Sequence, residues 1–254
     1  MSRQDPNTVN AVTTAIRVVE ALYELDGARV TALADHLDMP KSSVHRHLST
    51  LDEANYVSRE GETYYLSLQF LELGDYVKRR DPIRRLAIPK VEELAERTGE
   101  RAQFVVEEHG YVRYVHRASG EGAVKTLSGT GKRIRMHALA GGKAILAHLP
   151  EPEVGAILDR RGLPAFTEDT ITDRDALFEE LATIRERGVA FDDGECVAGL
   201  RAVGVPVRGP DDEVLGALTV AGPTHRLQGD VFEAEIPELL LGTANELELK
   251  YAYE

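Results

Sequence analysis

Between Val9 and Leu25 the apolar side chains Val12, Ile16, Val19 and Tyr23 recur at helical spacing. They form one stripe of an amphipathic helix, which predicts that this stripe faces a core. Asn10 or Thr8 is placed to cap the helix and Gly27 to end it. VTALADHL, Val30 to Leu37, predicts a second helix with Leu33, Ala34 and Leu37 inward. Asp38-Met39-Pro40 is a short break whose proline opens a third helix, Lys41 to Ala54, with Val44, Leu48 and Leu51 on its buried side. Two Tyr-, Val- and Thr-rich runs, Tyr56 to Arg59 and Thr63 to Ser67, then flank the turn Glu60-Gly61-Glu62 and predict a hairpin. Three short helices with a hairpin behind them make a winged helix-turn-helix.

Gln69 to Arg80 is again amphipathic and stops before Asp81-Pro82, a linker helix. A long helix from Ile83 to Thr98 is closed by Gly99. Period-two runs predict hairpins over 102–108 with 111–117 and over 202–207 with 214–220, and helices are expected near 139–149, 153–160, 173–186 and 232–249. The expected fold class is α+β. Residues 8–68 form the winged domain, 69–82 the linker, and 83–254 a larger domain with an antiparallel sheet flanked by helices.

Composition sharpens this picture. The chain has 254 residues, 43% of them apolar, and a formal net charge of -13. Lysine is scarce against 23 arginines, and with the excess of carboxylates the composition resembles that of proteins from salt-loving microbes. The polar start MSRQDPNTVN and the lack of any long uncharged apolar run predict a cytoplasmic protein with no leader or membrane span. One cysteine, Cys196, rules out a disulfide within the chain and any zinc site needing two of its thiolates.

Against that acidity, MPKSSVHRHLSTL, Met39 to Leu51, holds no carboxylate. On a helical wheel Ser42, Ser43, Arg46, Ser49 and Thr50 lie away from the Val44–Leu48–Leu51 stripe. One arginine among small hydroxyls suits a helix entering the major groove of double-stranded DNA, where Arg reaches guanine O6 and N7. Lys41, His45 and, on the wing, Arg59 are candidate backbone contacts. His45 and His47 lie about 160° apart on the wheel and cannot share a metal ion; His47 is expected to flank the core. Lys78-Arg79-Arg80 suits either DNA backbone or simply the C-terminal end of its helix.

The order of TALADHLDMPKSSVHRHLSTL, YYLSLQFLELG, YVHRASG, HALAGGKAILAHLP, IRERGVAFDDGECVAGLRAVGVPV and LGALTVAGP resembles the IclR family of transcriptional regulators over nearly the whole chain. The resemblance implies a dimer or tetramer on a palindromic operator, with a GAF-like effector-binding domain sensing a small carboxylate such as an organic or sugar acid. Carried over motif by motif, it assigns Ile134, Ala140, Gly141, Asp192, Ala202, Thr219 and Ala221 to the effector pocket. A glycine pair opening a helix gives that assignment separate physical support, since backbone N–H groups there can approach an anion. Two positions depart from the family pattern: Ala221 stands where a serine is frequent, removing a hydroxyl, and Arg135 replaces a frequent proline, adding a cation near the pocket mouth.

Other signals are discounted. Gly131-Lys132 and Gly142-Lys143 lack both the upstream glycine and the following Ser or Thr of a phosphate loop. Cys196 with His137 or His225 is a weak nucleophile-and-base reading, a small buried hydrophobe being the commoner role of a lone cysteine. Asp192, Asp193 and Glu195 read as an acidic loop. No enzyme activity, cofactor or metal is expected. The competing reading is a metabolite sensor or enzyme whose winged domain serves protein contacts.

Overall fold

A computed structural model describes residues 8–124 and 129–254. Residues 1–7, most of the polar start, lie outside the described residues. Chain contacts divide the protein into two compact units, Met1–Val77 and Lys78–Glu254.

The first unit holds α1 (Asn10–Glu24), α2 (Val30–Leu37), α3 (Lys41–Glu53) and the hairpin of β1 (Val57–Glu60) and β2 (Thr63–Leu66). Its core joins Val18, Ala21 and Leu22 of α1 to Leu33, Ala34 and Leu37 of α2 and to Val44 and Leu48 of α3, with Val57 and Tyr64 from the wing. Ala28 bridges to Tyr64, which fixes the wing to the end of α1. The structure corrects the expected orientation of α1. Val12, Ile16 and Tyr23 are more than half exposed, and the buried stripe is Val18, Ala21 and Leu22. The helix is apolar on two sides, and the side that packs against α2 and α3 is that of Val18, Ala21 and Leu22. Nor do Thr8 or Asn10 cap it: the N-cap is Val9, without a side-chain bond.

The linker helix α4 (Gln69–Arg79) has no buried residue, and Leu71, Leu73, Tyr76 and Val77 all stand exposed. Both it and α1 therefore display apolar side chains that their own unit does not cover.

The second unit is built on a six-stranded, wholly antiparallel sheet of order β5-β4-β3-β8-β7-β6. Its strands are β3 (Arg101–Glu108), β4 (Tyr111–Ser119), β5 (Arg133–Ile134), β6 (Ala190–Asp193), β7 (Leu200–Arg208) and β8 (Val214–Pro223). Alternation of side chains splits it into two faces. Ala102, Phe104 and Val106 of β3, Val203, Val205 and Val207 of β7, and Leu218 and Val220 of β8 pack under α5 (Pro82–Thr98) and α9 (Ile236–Ala252). The opposite face meets α6 (Ala140–Leu146), with α7 (Glu151–Arg161) and α8 (Arg174–Arg187) outside it. This is the GAF-like arrangement.

Helix limits follow local chemistry. Asp81 caps α5 by accepting from the Ile83 amide, with Pro82 at the first turn, and Gly99 closes it with φ of 68°. Asp173 caps α8 by accepting from the Ala176 amide. The strands β5 and β6 were not expected: each is too short to show alternation. The final helix begins with a π-helical turn, Val231–Glu235, ahead of α9.

The glycine pair of α6 serves packing. A Cβ on Gly142 would collide with the Met136 carbonyl, and one on Gly141 would fall 2.6 Å from Thr219 Cγ2. The helix lies on the sheet so closely that only hydrogen fits there.

Lys143, on α6, is 1% exposed and forms an ion pair with Glu195 in the loop between β6 and β7. Thr170 Oγ1 donates to the Glu195 carbonyl oxygen at 2.7 Å, and Thr167 Oγ1 donates to the Gly194 carbonyl oxygen at 2.8 Å. Lys143→Met would leave a buried carboxylate without its cation, which costs about 3–5 kcal/mol. A fall in Tm of about 10 °C is expected by calorimetry, with much of it recovered in Lys143→Met/Glu195→Leu.

Candidate functional site

Each unit presents one candidate site. On α3, Val44 and Leu48 are buried, while Lys41, Ser42, His45, Arg46, Ser49 and Thr50 are exposed and Ser43 is half-buried. The helix opens directly after Pro40, so its first turn stands free at the end of the tight connection from α2. Two hydroxyls are already tied to their own helix: Ser49 Oγ donates to the His45 carbonyl at 2.9 Å and Thr50 Oγ1 to the Arg46 carbonyl at 3.1 Å. That geometry holds the side chains low and keeps the face smooth, leaving their lone pairs outward. Arg59 sits at the wing tip, bonded through Nε to the Gly61 carbonyl at 2.7 Å and stacked over Tyr64. Arg46, His47 and Thr50 also rim a groove against α1, whose walls are Val12, Ile16, Tyr56 and Phe70. His47 is half-buried beside the core, away from His45.

In the second unit a cavity of about 330 Å³ lies between the sheet and the start of α6. All seven residues assigned by resemblance line it: Ile134 from β5, Ala140 and Gly141 from α6, Asp192 from β6, Ala202 from β7, and Thr219 and Ala221 from β8. Sheet register brings them together. Asp192 pairs with Ala202, Ala202 with Ala221, and Ile134 with Val112 of β4.

The lining contains further residues beyond the seven assigned: Arg101, Gln103 and Val105 of β3, Val112 and Tyr114 of β4, Lys132 before β5, Leu139 and Gly142 at the start of α6, and Cys196, Val197, Leu200 and Arg201 near the β6–β7 loop. Alternation along β3 was the available signal, since 101, 103 and 105 share a face; nothing in the strand itself said which face holds the cavity. Gln103 accepts a hydrogen bond from Thr219 Oγ1 at 3.0 Å. Arg135 is absent from the lining, correcting its expected place at the mouth. β5 turns Ile134 inward, and the Arg135 guanidinium lies 5.1 Å from the centre of the Tyr111 ring.

The electrostatics argue against catalysis. Burial, then the nearby Asp192 and Glu195, pushes the Cys196 thiol up to about 12, whereas a nucleophilic cysteine needs a lowered pKa. His137 is engaged elsewhere, its Nε2 3.1 Å from the Pro164 carbonyl oxygen and its ring beside Phe166. Burial also lowers its pKa. Burial raises Tyr114 far above the ordinary phenol value. Among the described residues no group of three or more His, Cys, Asp or Glu is arranged to hold a metal ion.

Asp192 is the unusual acid. Its Oδ1 accepts from the Glu195 amide at 2.8 Å and the Cys196 amide at 3.3 Å, shaping the loop that covers the cavity. Burial and then Glu195 raise its pKa from 3.8 to about 7. A carboxyl raised in this way favours the folded state while both states are protonated; the benefit shrinks as pH climbs from the unfolded value through about 7. Asp192→Asn keeps the acceptor oxygen and removes the ionisation. Its Tm relative to the parent should rise by several degrees between about pH 5 and about pH 8; a constant difference across that range would contradict the buried, titrating carboxyl.

Both units match known families. Residues 75–249 match the family model described as bacterial transcriptional regulator IclR C-terminal, and residues 11–61 match the IclR helix-turn-helix domain. The chain is 31% identical over 250 residues to a probable HTH-type transcriptional regulator ArcR of Halobacterium salinarum, covering 97% of this chain and 95% of the relative. It is 31% identical to the HTH-type transcriptional regulator KdgR of Escherichia coli, covering 88% and 86%. Among solved structures, the IclR of Thermotoga maritima superposes with a TM-score of 0.82 at 27% identity, covering 96% and 99%. An IclR homolog of Microbacterium hydrocarbonoxydans complexed with 4-hydroxybenzoate gives 0.82 at 25%, covering 95% and 99%. The relatives are named as regulators rather than enzymes, and with both domains matched in order this chain belongs to the IclR family of transcriptional regulators.

Proposed function

We propose that this regulator is a cytoplasmic, one-component sensor: α3 and the wing bind a palindromic operator, and the cavity of the second unit takes a small metabolite that alters operator binding. The observation that carries the reading is α3 itself, a helix that offers Arg46 among exposed hydroxyls in a segment clear of carboxylates, within a chain of net charge -13. Lys41, Ser42, Ser43, His45, Arg46, Ser49, Thr50 and Arg59 are the proposed contacts. With so few cations there, base-edge hydrogen bonds and shape carry more of the affinity than phosphate charge does.

The cavity supports the sensing half of the reading. Ile134, Ala140, Gly141, Asp192, Ala202, Thr219 and Ala221 enclose a volume suited to a small organic acid, and a relative of the same fold is complexed with 4-hydroxybenzoate. Among the described residues no helix is long and apolar enough to cross a membrane. The uncovered apolar side chains of α1 and α4 favour self-association, which a palindromic operator requires. Ligand binding then acts as a population shift between placements of paired winged domains, changing their match to half-site spacing.

Purified protein should prefer its own upstream DNA over scrambled DNA in fluorescence anisotropy, at molar as well as moderate salt. Arg46→Ala should weaken that preference by roughly 10- to 100-fold with Tm nearly unchanged, because Arg46 is exposed. Undiminished operator preference in Arg46→Ala would favour a winged domain serving protein contacts. Ile16→Glu or Leu71→Glu should lower the sedimenting mass and weaken operator binding together; a chain that sediments as a monomer before substitution rules out the paired arrangement.

A further inference from the structure

The basic run at the end of α4 has a use that the proposed DNA contacts do not cover. Between Leu71 and Arg80 every residue but Lys78 is exposed, and Lys78 is the residue at which the second unit begins. Its Nζ lies 3.0 Å from Nδ1 of His116 on β4, a hydrogen-bond distance. An ammonium can only donate, so Nδ1 must accept. The ring is therefore neutral with its proton on Nε2, a nitrogen that is shielded from solvent and lies 3.4 Å from Glu92 Oε1 on α5. Lys78, His116 and Glu92 thus join the last turn of α4 to β4 and α5.

A bulge in β4 explains why the histidine is there. Phe104 on β3 lies opposite His116 but the next residue, Val105, lies opposite Tyr114, so Val115 is an extra residue in β4. Tyr114 and Val105 line the cavity. His116 instead shares the Phe104 side of the sheet, which packs under α5, and its ring reaches Glu92. Among the described residues the charged groups that act on this ring are Lys78 from α4 and Glu92 from α5, and its neighbour on β3, Phe104, is uncharged. Burial and then Lys78 lower the His116 pKa from 6.5, with Glu92 opposing them but not reversing the direction.

We propose that His116 is a proton-operated latch: neutral, it accepts from Lys78 and holds the last turn of the linker helix α4 against β4, and protonated, it releases that turn. Protonation removes the Nδ1 lone pair and sets a second cation beside the ammonium, while Glu92 keeps the imidazolium in place. The unfolded chain takes up this proton at a higher pH than the folded protein does. Stability from the latch is therefore full above the ordinary histidine value of 6.5, declines as pH falls below it, and is gone below the folded pKa. The linker thereby gains a proton input, and it has that input whether or not the cavity takes a metabolite.

The test uses the full-length protein labelled with 15N-histidine. Long-range 1H–15N spectra, with His116 assigned by its loss in His116→Gln, should show a neutral ring protonated on Nε2 at about pH 7.5 and a titration midpoint below about 6.5. Lys78→Met should raise that midpoint and Glu92→Gln should lower it further, shifts that a ring perturbed by burial alone would not show. Hydrogen exchange of the amides of residues 76–79, corrected for its intrinsic pH dependence, should lose protection by roughly 3- to 10-fold as His116 titrates. His116→Gln keeps an acceptor for Lys78 without the titration, so its protection should stay constant across the same pH range. Lys78→Met should show the low protection throughout. Asp192 titrates in all of these proteins, so the differences between them isolate His116. A ring protonated on Nδ1 at neutral pH, a midpoint at or above the ordinary histidine value, an unmoved midpoint in Lys78→Met, or parent protection that does not follow the titration each overturns the latch. The tautomer, the midpoint and the exchange of the parent need no folded variant beyond the assignment, so a misfolded Lys78→Met does not spoil the test.

Discussion

The strict alternation of side chains across one antiparallel sheet is the constraint from which the second unit follows. In β3, β7 and β8, every other residue goes into the core under α5 and α9, and the residues between them face α6 and the cavity. A shift of register by one residue would exchange Arg101, Gln103 and Thr219 with Ala102, Phe104 and Leu218, burying charge in the core and filling the cavity with hydrocarbon. Fold stability and the lining of the cavity are consequently specified by the same pairing.

The approach of α6 to that sheet is the second consequence. Gly141 and Gly142 permit contact that a Cβ would forbid, and Gly204 on β7 lies against the Ala140 backbone in the same way. Close contact sets how much space remains beside the helix, and that space is the cavity. Lys143, one residue later, is carried inward with the helix and is compensated by Glu195, which in turn fixes the loop whose amides hold Asp192. The glycines, the ion pair and the unusual acid form one continuous piece of packing from the helix to the cavity rim.

Charge is distributed to match these roles. Within a chain of net charge -13, the exposed face of α3 carries Lys41, His45 and Arg46 and the segment from Met39 to Leu51 holds no carboxylate. Apolar side chains of α1 and α4 also stand exposed on the first unit, the one that carries the helix-turn-helix.

The sequence alone was sufficient for the winged helix-turn-helix, the long helices and the two large hairpins. Helical and strand periods are local, and Pro40, Asp81, Gly99 and Asp173 punctuate them with local hydrogen bonding and backbone preference. Motif order was sufficient to name seven residues that the structure brings to a single cavity. What periodicity could not decide was direction: α1 is apolar on two sides, and only packing against Leu33 and Leu48 selects Val18 and Leu22 over Val12 and Ile16. The short strands β5 and β6 exist because neighbouring strands hold them, so their own residues carry no period to read. Which face of β3 lines the cavity, and how closely α6 approaches the sheet, follow from register and packing: Arg101 lies opposite Ala221 and Gly141 lies against Thr219, pairs far apart in the chain. Local chemistry wrote the elements; the pairing of distant strands decided which of their faces became core, cavity and binding surface.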